Sequence, residues 1–196
     1  MNKYTIAAAV ALVGAAGLAA CGQPSQTAST ETSASETTAP ASAPVAPVAN
    51  GTQAFLDKAA QTDTLEIETA KVAQTKSTNK DVKALAAMLL KDHTKTTQQL
   101  KDWSAANAGF TLPAAPEADF QMRIDNIKNA DADGFDDKYL DTVIDAHEAG
   151  LAAFKDYADN GDNASLKAWA AKTMPTLQAH FDKAKALRDA INKKPA

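Results

Sequence analysis

Four stretches of this 196-residue chain place apolar or small residues at alternating steps of four and three, and that spacing leaves little choice of fold. Residues four and three apart stack on one face of an α-helix, so each stretch is a helix with one seam to bury. The first seam runs Phe55, Ala59, Thr62, Glu66, Thr69 and Ala73. Ser77-Thr78-Asn79 interrupts it, and Thr78 or Asn79 can cap a second helix with Asp81 in its first turn. There Val82, Ala86, Leu89, His93, Thr96, Leu100 and Trp103 keep the rhythm until Gly109. A longer connection with Pro113 and Pro116 leads through a short amphipathic piece, Glu117 to Lys128. A third long helix carries Leu140, Val143, His147, Leu151, Phe154 and Ala158 and stops at Asn160-Gly161. The fourth begins near Asn163 and carries Leu166, Ala170, Thr173, Leu177, His180, Ala184, Leu187 and Ile191. Four seams joined by two tight turns and one long connection predict an all-α four-helix bundle, and no alternating strand pattern competes. The many seam alanines predict closely packed helices.

All three histidines of the chain fall on these seams, one per helix, and the remaining helix places Glu66 on its own. Counting from the Ser77 turn puts Glu66 and His93 at similar heights, and counting from the Gly161 turn does the same for His147 and His180, within about 6 to 8 Å. Three imidazoles and a carboxylate converging in a bundle core suit one transition-metal ion, zinc, iron or copper, with the carboxylate balancing its charge. The plainer alternative is a set of core histidines hydrogen-bonded to partners, with a Glu-His contact across helices satisfying both groups.

Two other features imitate functional motifs. Asn129 to Gly134 starts like an EF-hand loop, but Leu140 stands where a bidentate glutamate is required, so Asp131, Asp133, Asp136 and Asp137 read as capping and dipole compensation for the third long helix. Pro175 lies inside the fourth helix, just over a turn before His180, and predicts a bend there. No serine, histidine and acid arrangement, Gly-rich phosphate loop or second thiol is present, so binding is expected rather than catalysis.

The N-terminal fifty residues read differently. Lys3 precedes an apolar segment from Ile6 to Leu18, too short to span a bilayer comfortably, followed by small residues and the only cysteine, Cys21. This leader resembles that of a bacterial lipoprotein, with Leu18 to Cys21 as its lipobox. The resemblance implies a signal peptide over residues 1–20 and a lipidated Cys21, and Gly22 in place of an aspartate points to the outer membrane, facing the periplasm. From residue 21 to 50 the chain is Ser, Thr, Ala and Pro-rich without an aromatic and reads as a disordered tether, reaching up to ~3 Å per residue where extended. Residues 51–196, about 145 in all, suffice for one domain with its own core. The net charge of −4, with both signs mixed along the chain, offers no basic stripe and argues against nucleic acid as a partner.

Phe55 to Ala60, Leu65 to Ala73, Lys91 to Thr94, Asp145 to Glu148 and Thr173 to His180 together resemble the bacterial domain-of-unknown-function family labelled outer membrane protein, over about residues 52 to 188. The resemblance implies a ferritin-like four-helix bundle in the cell envelope and brings no activity with it. Ferritin-type di-iron chemistry would require Glu-x-x-His on two helices. The residues three before the histidines are Leu90, Ile144 and Leu177, which argues against a two-iron oxidase. The sequence therefore predicts a lipid-anchored envelope protein whose helical domain binds a transition metal through Glu66, His93, His147 and His180, acting in envelope stress tolerance. Its competitor is a metal-free helical module that binds another envelope protein.

Overall fold

The computed structural model describes residues 51–193, so the leader, Cys21 and the tether lie outside the described residues. Four long helices, α1 (Thr52–Lys76), α2 (Lys80–Ala106), α4 (Phe135–Asn160) and α5 (Ala164–Asn192), form the bundle, and a short α3 (Ala118–Lys128) lies in the long connection. Among the described residues there is no strand, and no helix is long and apolar enough to cross a membrane. The chain is an all-α helical bundle of the class its seams predict.

Local chemistry sets the helix ends. The Asn79 side chain accepts from the Asp81 amide, and Asn163 accepts from the amides of Ser165 and Leu166, so both tight turns end in a side-chain N-cap. At the second turn a Cβ on Gly161 would stand 2.6 Å from the Tyr157 carbonyl oxygen, a contact only glycine avoids. The start of α4 corrects one expectation. Asp136 and Asp137 do occupy its first turn, but the N-cap is Gly134 in the left-handed region with φ of 71°, and neither Asp131 nor Asp133 caps it. Helix α2 also ends before Gly109, at Ala106, where the Asn107 backbone leaves the helical region. Helix α5 runs unbroken through Pro175; that proline and Ala171, whose carbonyl it deprives of a donor, are both exposed, so water can solvate the loss.

The buried apolar residues divide into two main bodies. Near the Ser77 turn, Val82, Leu85 and Leu89 of α2 meet Tyr139, Leu140 and Val143 of α4 around the small Ala70, Ala73 and Ala184. At the other end Phe55, Phe154 and Tyr157 pack with Leu166 and Ala170, the Phe55 and Tyr157 rings stacked at 4.1 Å. Each fully buried large side chain contributes about 1.5 to 3 kcal/mol of transfer free energy. Between the two bodies lies a belt of buried polar side chains: Asp63, Glu66, His93, His147 and His180.

Candidate metal centre

The belt is assembled one helix at a time. Asp63 and Glu66 come from consecutive turns of α1, His93 from α2, His147 from α4 and His180 from α5. Each of these side chains is at most 6 % exposed, so polar atoms here must find partners inside the protein. The three imidazoles form a triangle with ring centroids 5.5, 5.5 and 5.3 Å apart, and one ring nitrogen from each lies within 4.8 Å of the others.

Hydrogen-bond accounting decides how those rings are oriented. His93 Nδ1 is 2.8 Å from Asp63 Oδ1, and Asp63 in turn accepts from the hydroxyls of Thr96 and Thr97. His180 Nε2 is 3.0 Å from Asp92 Oδ2, and His147 Nδ1 is 2.9 Å from the Val143 carbonyl oxygen. Carboxylates and carbonyls only accept, so in each case the outward-facing nitrogen carries the hydrogen. The neutral rings therefore turn three lone pairs toward one another: His93 Nε2, His147 Nε2 and His180 Nδ1. The last two face each other at 3.2 Å, and His93 Nε2 has no hydrogen-bond partner. A carboxylate or carbonyl behind each imidazole is the arrangement that orients metal-ligating histidines.

Glu66 stands apart from this trio. Its Oε1 is 3.4 Å from His147 Nδ1, the nitrogen that faces away from His180, and both carboxylate oxygens lack hydrogen-bond partners. The structure thus brings His93, His147 and His180 into one set and puts Glu66 behind His147 as a buried negative charge. Tyr139 senses it. Burial first, then the Glu66 charge, push the Tyr139 phenol well above its usual range. The histidines are tuned apart as well. Burial holds His180 down at about 4 despite its Asp92 bond, whereas for His93 the opposing effect of burial is outweighed by Asp63, Glu66 and Asp92, which raise it.

Asp63 and Asp92 escape sequence reasoning because neither sits on a seam. The available signal is local: Asp63 lies three residues before Glu66 on the same side of α1, and the hydroxyls of Thr96 and Thr97 follow His93 by three and four residues, within reach of an acid across the helix pair.

The family model described as Domain of unknown function (DUF4142) matches residues 37–187. The chain belongs to that family. No curated protein sequence matches it. Among solved structures the fold is similar to CopM in its Cu(II)-bound form, at a TM-score of 0.62 and 16% identity, covering 71% of this chain and 97% of that one. CopM in the Ag-bound form aligns at a TM-score of 0.60 and 17% identity over 71% and 96% of the two chains. CopM in the Cu(I)-bound form aligns at 0.61 and 18% over 70% and 95%. At these identities the likeness establishes a common helical bundle.

Proposed function

We propose that this family member binds one transition-metal ion, copper first among the candidates, through His93, His147 and His180, with Glu66 compensating its charge. The observation that carries the reading is the set of three imidazole lone pairs turned inward with no donor among them. Lone pairs 3.2 Å apart repel, and a cation is what relieves them. A proton on His93 is the competing cation, which makes metal uptake favourable above the pH at which that ring titrates. Metal-bound imidazole nitrogens 2.0 to 2.1 Å from an ion lie roughly 3.4 Å apart, so closing from the present spacing asks for shifts of about 1 Å. Imidazole suits copper and zinc, and the CopM structures with copper and silver share this fold at low identity. The leader and Cys21 support a lipid-anchored placement at the outer membrane, where such a domain serves envelope metal tolerance.

The test uses tag-free metal-free protein exposed separately to copper, zinc and iron. Copper is expected to bind at one equivalent and to raise the melting temperature, by about 2.7 kcal/mol of added stability at a hundredfold excess over Kd. Substituting any one histidine with alanine is expected to cut bound metal strongly, and Glu66→Gln to weaken binding while leaving stoichiometry unchanged. If no metal is retained under any loading condition, the metal-free interaction module takes its place.

A further inference from the structure

Resting on that metal reading, we infer that the site keeps a fourth coordination position open toward a water-sized chamber, where a bound ion carries an exchangeable water or a comparably small anion admitted from the groove between α2 and α5. The chamber adjoins the rings of His93 and His147, and its volume of about 10 Å³ is room for one water. Its remaining walls include the apolar Ala59, Ala146, Phe154 and Leu177, and the one carboxylate among them, Asp63, is already engaged by His93, Thr96 and Thr97. Gly150 confirms the space independently: it is buried within α4, yet a Cβ added to it would meet no atom within 4 Å.

The other directions around the trio are taken. His180 closes one side with Asp92 behind it, and Glu66 stands against the far nitrogen of His147. Three nitrogen ligands with a fourth position on a small cavity is the pattern of exchangeable sites, as opposed to structural ones closed by four protein ligands.

A route to the surface is built into the same walls. Thr96 and Thr173 line both the chamber and an outer groove of about 190 Å³ that also carries Asp92, Lys95 and Lys172. Both threonine hydroxyls already have acceptors, Thr96 in Asp63 and Thr173 in the Trp169 carbonyl of its own helix, so they form a threshold of satisfied hydroxyls. The two exposed lysines at its mouth favour anions, and the half-buried Asp92 carboxylate joins the groove to His180. The step is ligand exchange alone: the water leaves the ion and the anion takes its place, with no change of oxidation state.

The experiment loads the full chain with one equivalent of Cu(II) and records its electron paramagnetic resonance in ¹⁷O-enriched water, then with added fluoride. Line broadening by coordinated ¹⁷O is expected, replaced by fluorine splitting as fluoride enters. Gly150→Leu, which fills the chamber, is expected to abolish both effects at unchanged copper stoichiometry, and Gly150→Ala, which places one methyl in open space, to weaken fluoride binding severalfold. A fully loaded protein whose line is unaffected by ¹⁷O would overturn the open position and point to Glu66 as a fourth ligand. Broadening that persists in folded Gly150→Leu protein, or fluoride binding unchanged in Gly150→Ala, would overturn the chamber as its location. Failure to take up copper at all is a separate outcome, which sinks the metal site and this inference together.

Discussion

Two clusters of polar side chains in the bundle are built to opposite specifications. Beside the Gly161 turn, Thr52 Oγ1 donates to Asp162 and lies 2.6 Å from the Tyr157 hydroxyl, which itself reaches Asp162 at 3.2 Å. Every member has a partner, and the Thr52 and Tyr157 bonds hold the Asp162 carboxyl below its usual value. In the central belt the carboxylates behind His93 and His180 are equally well engaged, but both oxygens of Glu66, behind His147, and Nε2 of His93, inside the trio, lack partners. A satisfied network fastens a helix end; an unsatisfied one costs about 1 to 3 kcal/mol per buried group and persists where another requirement maintains it. The two clusters differ in how completely their polar groups are hydrogen-bonded.

The contrast breaks most sharply at Asp63. Asp63→Ala removes the acceptor shared by His93, Thr96 and Thr97 and is expected to cost about 3 to 5 kcal/mol in urea denaturation, because it strands a buried imidazole. A loss below 1 kcal/mol would mean that Asp63 is as loosely held as Glu66.

Acid comes next. His180 is held at about 4 while its unfolded value is 6.5, so the unfolded metal-free chain binds more protons between those values and stability falls as pH drops through that window. The slope approaches about 1.4 kcal/mol per pH unit there. His93 acts with the other sign. Its raised value contributes stability that is fully present below 6.5 and lost as pH climbs through its folded value, so the two leave a maximum between their windows. Thermal melts of metal-free protein from pH 4 to 8 check this, and His180→Leu is expected to flatten the acid limb; an unflattened limb would assign it to other groups.

The smallest effects carry opposite signs. Tyr157→Phe deletes a satisfied hydroxyl and is expected to destabilise by about 1 kcal/mol, whereas Glu66→Leu deletes an unsatisfied carboxylate and is expected to stabilise the metal-free protein by a similar amount. Equal signs in paired denaturation curves would erase the distinction between the two clusters.

The alternation of four and three was sufficient to read the helices and to put all three histidines inside, because a seam of period 3.5 fixes which face of a helix is buried. It could not foresee Asp63 and Asp92. Both flank a seam, where burial depends on which neighbour turns inward across the helix pair, and spacing along one helix says nothing about that. The same limit explains Glu66: its height was legible, but its place on the outer side of His147 is set by side-chain rotamers and by the ring's bond to Val143. The cap at α4 was misread for a different reason, since four aspartates near Gly134 suggest a side-chain cap while the backbone turns there through a left-handed glycine.

The chain folds back on itself at Ser77 and again at Gly161, so α1 with α2 makes one helical hairpin and α4 with α5 another. The histidines are shared unequally between them: His93 belongs to the first, His147 and His180 to the second. Neither hairpin owns a complete ligand set. An ion held among the three rings, as proposed above, would therefore rivet two halves joined by the connection that carries α3, and would leave when the halves part by a few ångströms while every helix stays wound. Its residence time would then report the breathing of one seam, and shortening or stiffening the segment from Asn107 to Gly134 should change how long the ion stays more than how tightly each helix holds.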